Sequence, residues 1–246
     1  MSDEAAPAGT GKSYVLVHGA FHGAWCWKDV AARLRALGHS VHTPTLTGLG
    51  ERSHLLAFNP GMDTFVDDIT QVLRFEDLTN VILVGHSFAG AVISGVADRM
   101  AERLRHLVYL DAMILQSGQS ATDTAPADLM ARYRQEAQDT SGGLSVPPNT
   151  PAYYGITDPA QARWLEARLT PHPFRTYSDP LTLAHPLGNG VPATYIACTQ
   201  PLHRSTARSR ALAQTMPGWS YREIATGHNA MMLQPGELTR MLTEIG

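Results

Sequence analysis

The chain has little cysteine, little net charge and no long apolar run. Two cysteines in 246 residues, Cys26 and Cys198, cannot build a framework of disulfide bridges. Both fall in segments that read as buried, so free thiols are expected. The formal charge is −3, with both signs mixed along the chain. No basic stripe offers a footprint for nucleic acid, and no polybasic cluster offers one for anionic lipid. Apolar runs stop well short of the length needed to cross a bilayer. The start, Met1-Ser2-Asp3-Glu4, is acidic where a secretory signal is basic, so a cytoplasmic location is the expectation. Gly9-Thr10-Gly11-Lys12-Ser13 looks like a phosphate-binding loop, but the first glycine of that motif falls on Ala6 and the segment precedes a strand. Nucleotide binding there is rejected, and residues 1–12 are read as a flexible N-terminal tail. What remains is a protein whose partner is a small molecule, with no nucleic acid and no membrane, and with a homodimer left open.

What the sequence does contain is an alternation of short apolar strands and amphipathic helices. Tyr14-Val15-Leu16-Val17, Val81-Ile82-Leu83-Val84, Arg105 to Ala112 and Val191 to Cys198 read as buried strands of a parallel sheet. Trp27 to Leu37 and Thr64 to Phe75 carry apolar residues at helical spacing, with Val30, Leu34 and Leu37 on one face and Phe65, Ile69, Val72 and Leu73 on the other helix's inner face. A helix from about Ser205 to Thr215, a short strand near Tyr221 to Ile224 and a helix from about Pro235 complete the series. The pattern breaks between Met113 and Asn189 into Pro, Gly, Ser and short helical stretches such as Pro159 to Leu169. Strands alternating with helices give an α/β fold with a doubly wound, mostly parallel sheet. Its core is expected over residues 13–112 and 190–246, with 113–189 inserted as a cap.

Ser87 sits at the apex of Gly85-His86-Ser87-Phe88-Ala89-Gly90, between a strand and a helix. A turn this tight strains its central residue, so the residues two positions away on each side must be small. Gly85 and Ala89 satisfy that, although glycine is the usual residue where this chain has Ala89. The turn lifts the hydroxyl off the end of the sheet and aims the first helix amides at whatever the hydroxyl attacks. A serine hydroxyl needs a base within hydrogen-bond reach, and His228, after the last strand, is the best placed. The third group is a buried carboxylate that fixes the imidazole tautomer. The loop after the strand ending in Cys198 is the usual site, yet it reads Thr199-Gln200-Pro201-Leu202-His203 and holds no acid. Asp111, at the tip of the strand after the nucleophile's helix, keeps the order Ser, Asp, His and is favoured, with Asp179 and Asp158 as fallbacks. The backbone amides of Ala20 and Phe88 are expected as the oxyanion hole. Phe21, His22, Trp164 and Tyr154 are expected to bind substrate.

Three segments carry a resemblance. Val17-His18-Gly19-Ala20-Phe21-His22-Gly23-Ala24-Trp25-Cys26-Trp27, Gly85-His86-Ser87 and Gly227-His228-Asn229-Ala230-Met231 resemble the α/β-hydrolase family that contains plant methylesterases and hydroxynitrile lyases. The likeness covers most of the core, is greatest to bacterial members and fades across the cap. It implies the α/β-hydrolase fold and a serine esterase that needs no cofactor and no metal, acting on small esters, lactones, carbamates or amides, often aromatic ones. Lyases of that family carry a threonine in the first oxyanion loop and a lysine just after the catalytic histidine. Here Gly19 and Asn229 stand at those positions, which disfavours carbon–carbon lyase activity. A non-catalytic small-molecule receptor is the other alternative.

Overall fold

The computed structural model describes residues 11–246. The expected tail therefore lies outside the described residues, except for Gly11 and Lys12. Six parallel strands form one sheet: β1 (Ser13–Val17), β2 (Ser40–His42), β3 (Val81–His86), β4 (Leu104–Leu110), β7 (Ala193–Cys198) and β8 (Trp219–Ile224), in the order β2-β1-β3-β4-β7-β8. The strands are apolar on both faces because both are covered. Tyr14, Leu16, Ile82, Val84, Val108 and Leu110 pack with helices α1 (Lys28–Ala36) and α10 (Pro235–Thr243). Val15, Val17, Leu83, Leu107 and Tyr109 point the other way, onto α2 (Met62–Phe75) and α3 (Ala89–Met100). The chain order reverses between β1 and β3, and the crevice beyond their carboxyl ends is where this architecture places ligands.

The remaining elements adjust the expected boundaries. Helix α1 ends at Ala36, and Leu37, expected on its inner face, is 61% exposed because Gly38 turns the chain away at φ +85°. Helix α2 begins two residues before Thr64, at Met62. Residues 113–189 hold α4 (Ala121–Thr124), α5 (Ala127–Ser141), β5 (Ser145–Val146), α6 (Pro159–Glu166), β6 (His172–Pro173) and α7 (Arg175–Ser178), with β5 and β6 paired antiparallel. The 15-residue α5 was not expected: it buries only Met130, Tyr133 and Ala137, at positions i, i+3 and i+7, so its apolar stripe is faint. Gly142, left-handed at φ +63°, stops it. After β7 come α8 (Ala207–Ala213) and, past β8, the short α9 (Ala230–Leu233). Cys26 and Cys198 are buried free thiols. No helix among the described residues is long and apolar enough to cross a membrane.

Candidate active site

The turn between β3 and α3 is a sharp elbow. Ser87 is left-handed at φ +54°, a conformation that costs a non-glycine residue energy and is held only by its surroundings. A Cβ added to Gly85 would lie 2.7 Å from the Ala89 carbonyl oxygen, so position 85 has no room for a side chain. A Cβ on Gly19 would lie 2.8 Å from the Ser87 Cβ, which is why the loop after β1 must also be thin. Ala89, by contrast, packs its methyl into the core without exposure. The Ser87 amide donates to the Leu110 carbonyl at 3.1 Å and the Met113 amide donates to the Ser87 carbonyl at 2.8 Å. These bonds tie the elbow to the end of β4 and to the chain just beyond it.

The three residues expected to meet do meet. The Ser87 hydroxyl faces His228 Nε2 at 2.8 Å, and His228 Nδ1 donates to Asp111 Oδ2 at 2.6 Å. Asp111 follows β4 directly, is fully buried, and is itself left-handed at φ +39°. Its other oxygen accepts from the Thr206 hydroxyl at 3.1 Å, and Arg210 Nη1 stands 3.5 Å away. Arg210 also donates to Thr206 Oγ1 at 2.7 Å and to the His203 carbonyl at 2.8 Å. Asp158 instead caps α6 by accepting from the Ala160 and Gln161 amides, and Asp179 pairs with Arg175. Neither fallback reaches the histidine.

Four neighbours of this trio were not singled out from the sequence. Thr206 and Arg210 satisfy the far side of Asp111. His203 stacks on the His228 ring, with centroids 3.7 Å apart and planes 14° apart. His86, 4.6 Å from the same ring, donates from Nε2 to the His228 carbonyl at 3.0 Å. Burial keeps both added imidazoles neutral, holding His203 down to about 2 and His86 well below the usual histidine range. The absence of an acid between Thr199 and His203 was the one available sign that this loop serves the site in another way.

A narrow cavity opens above Ser87, and Ala20, Phe21, His22, Phe88 and Tyr154 line it. Neither the Ala20 nor the Phe88 amide has a hydrogen-bond partner among the described residues. The Phe21 amide is already committed, donating to His172 Nδ1 at 3.4 Å. His22 holds the Ala20 peptide in place by donating from Nδ1 to its carbonyl at 2.8 Å, while its Nε2 accepts from Asn229 at 3.0 Å. Trp164 is the exception among the expected residues. It lines a separate cavity with Trp25 and Lys28, its ring edge-on to Trp25 at 5.4 Å and covered by the Arg168 guanidinium at 4.1 Å. The placement of α6 turns it away from Ser87.

The model of the alpha/beta hydrolase family matches residues 14–240. The chain belongs to this family. Among relatives, a carbendazim hydrolyzing esterase of Nocardioides is 37% identical over 243 residues, covering 95% of this chain and 99% of that one. An extracellular alpha/beta-hydrolase from a Paenibacillus species superposes with a TM-score of 0.83 at 24% identity, covering 96% of this chain and 99% of that one. The Arabidopsis methylesterase MES16 gives a TM-score of 0.75 at 25% identity, covering 95% and 98%. As in other alpha/beta hydrolases, the strand-elbow-helix unit stands at the carboxyl end of a parallel sheet, and Ser87, Asp111 and His228 follow in that chain order.

Proposed function

We propose that this alpha/beta hydrolase cleaves small carboxylic esters through an acyl-enzyme on Ser87. The observation that carries the reading is the continuous bond chain from the Ser87 hydroxyl through His228 to Asp111, at 2.8 and 2.6 Å, beneath two uncommitted amides. Ser87 Oγ attacks the ester carbonyl as His228 Nε2 takes its proton. The oxygen that becomes negative is received by the Ala20 and Phe88 amides, each donor of this kind being worth roughly 3 kcal/mol in the transition state. The imidazolium, held by Asp111, returns the proton to the departing alkoxide. Water then enters, gives its proton to the same nitrogen, and releases the acid. Residues 113–189 act as the cap over a core formed by 13–112 and 190–246. The likeness to a carbendazim hydrolyzing esterase and to methylesterases supports this chemistry. Two unpaired buried thiols suit a reducing compartment, and the cytoplasm is the proposed location.

A fluorophosphonate probe should label Ser87 and abolish turnover of an aryl ester, and the untreated enzyme should release a burst of phenol before the steady state. Active protein that stays unlabelled at Ser87 sinks the reading.

A further inference from the structure

The cavity above Ser87 is lined without a single lysine, arginine, aspartate or glutamate. The charged groups near it are spent elsewhere. Asp111 is fully buried against His228, Thr206 and Arg210. Arg132 lies over the Tyr133 ring at 4.9 Å and bonds Glu136 and Asn149, while Arg204 bonds Asp128. The titratable groups that do line the cavity are histidines and tyrosines, and burial holds His22, His86, His203, Tyr133, Tyr154 and Tyr177 in their neutral forms. A charge brought into such a space loses its water and gains no counter-ion. The oxyanion amides accommodate charge only at the scissile carbonyl.

The same cavity holds two tyrosine hydroxyls that donate no well-formed hydrogen bond among the described residues. Tyr154 is 3% exposed, and its hydroxyl, although close to Asn149, makes no hydrogen bond of good geometry among the described residues. The Tyr133 hydroxyl, on α5, accepts from Asn149 Nδ2 at 2.5 Å and, with Tyr153 beside it, donates no hydrogen bond of good geometry among the described residues. Buried hydroxyls left in this state cost stability, and a ligand acceptor recovers it. The walls between them are aromatic: Phe88 meets Tyr177 edge-on at 5.2 Å and Phe21 meets Tyr133 edge-on at 6.0 Å, a setting that favours a flat ring.

We propose that the site selects aromatic esters that are uncharged away from the scissile bond and carry a hydrogen-bond acceptor on the ring, taken up by the Tyr154 and Tyr133 hydroxyls. This rests on the esterase reading of Ser87 and adds the substrate class to it.

Three methyl benzoates of similar shape test it, with acetyl, isopropyl or carboxylate at the para position and each rate normalised to alkaline hydrolysis. The acetyl ester should exceed the isopropyl ester about tenfold in kcat/KM, one net hydrogen bond's worth. The isopropyl ester should exceed the carboxylate at least about a hundredfold, because the anion enters unpaired. In a variant combining Tyr154→Phe and Tyr133→Phe, the acetyl-to-isopropyl ratio should fall close to one; a ratio taken within one variant is insensitive to lost stability. Calorimetric binding of the same esters to Ser87→Ala should give the same order without turnover. An anionic ester bound or turned over within about tenfold of its isopropyl counterpart overturns the inference, as does an acetyl preference that survives loss of both hydroxyls. If the binding order holds while the wild type fails to label at Ser87, the esterase reading falls and the selectivity stands.

Discussion

Replacing Asp111 by asparagine should cut kcat by about 10⁴-fold, close to 5.5 kcal/mol, and the structure says why so small a change costs so much. Asparagine has the same shape, so packing is retained. The two ends of its amide are not equivalent, however, and the surroundings dictate which end goes where. One carboxylate oxygen faces Arg210 at 3.5 Å and the Thr206 hydroxyl at 3.1 Å, which already accepts from Arg210, so the amide oxygen takes that side. The amide NH₂ is then left facing His228 Nδ1. That nitrogen becomes an acceptor, the ring proton moves to Nε2, and Nε2 meets the Ser87 hydroxyl as a donor when it is needed as a base. Adding Thr206→Val removes the main donor and allows the amide to turn over, so the double variant should recover part of the loss, about tenfold, a non-additive result. Asp111→Ala is a poorer test, because it strands the 11% exposed Arg210 beside a hole and confounds catalysis with stability. The assay is steady-state hydrolysis of an aryl ester beside a thermal melt of each variant. An Asp111→Asn enzyme that melts normally and turns over within about tenfold of wild type refutes the argument.

Three further outcomes follow from individual contacts. Burial holds His18 and His22 neutral in the fold, at about 4 and about 3 against an ordinary 6.5, so the folded state resists protonation that the unfolded chain accepts. Their contribution is complete above about 6.5 and is lost as the pH falls through that value; at pH 5 each has given up about 2 kcal/mol, and the urea midpoint should drop accordingly. If the midpoint is the same at pH 5 and pH 7.5, these rings are not buried neutral. Gly85→Ala should cost about 1–3 kcal/mol by forcing the new methyl against the Ala89 carbonyl, and fluorophosphonate labelling of Ser87 should slow; full stability with full labelling contradicts the tight elbow. Trp164→Ala should leave kcat/KM for aryl esters within about twofold, since the ring lines another cavity; a larger loss would bring it back to the substrate.

The core was legible because its signals are local. A parallel strand buried on both faces must be written as a run such as Val81-Ile82-Leu83-Val84, and an elbow must be flanked by small residues whatever surrounds it. Asp111 could be found because β4 visibly ends there. Other features depend on contacts that no local pattern records. Helix α5 shows solvent most of its surface, so three buried side chains in 15 residues left little periodicity to read. Trp164 looked like a pocket residue by type, but its direction is set by how α6 docks, which is a tertiary fact. Thr206 lies 95 residues from Asp111 and His203 lies 25 from His228, and beyond the missing acid in the loop that holds His203, neither residue carries a mark of its role apart from that geometry.

The position of Asp111 shows what the proposed triad requires. β4 and β7 are neighbouring parallel strands, with Leu110 opposite Ile196, and the Asp111 amide donates to the Ile196 carbonyl at 2.7 Å. Their tips are therefore one strand spacing apart, roughly 4.8 Å, a distance that a carboxylate side chain and a small ring rotation can absorb. An acid on either tip can reach Nδ1. Moving it to β4 leaves the loop after β7 free, and that loop is reused: His203 covers the face of the His228 ring, while Thr206 and Arg210, just beyond it, supply donors for the carboxylate oxygen that His228 does not use. The strained φ of Asp111 is held by its bond to β7. A carboxylate placed at position 203 would consequently meet the flat face of the ring and not its Nδ1 edge, and could not stand in for Asp111.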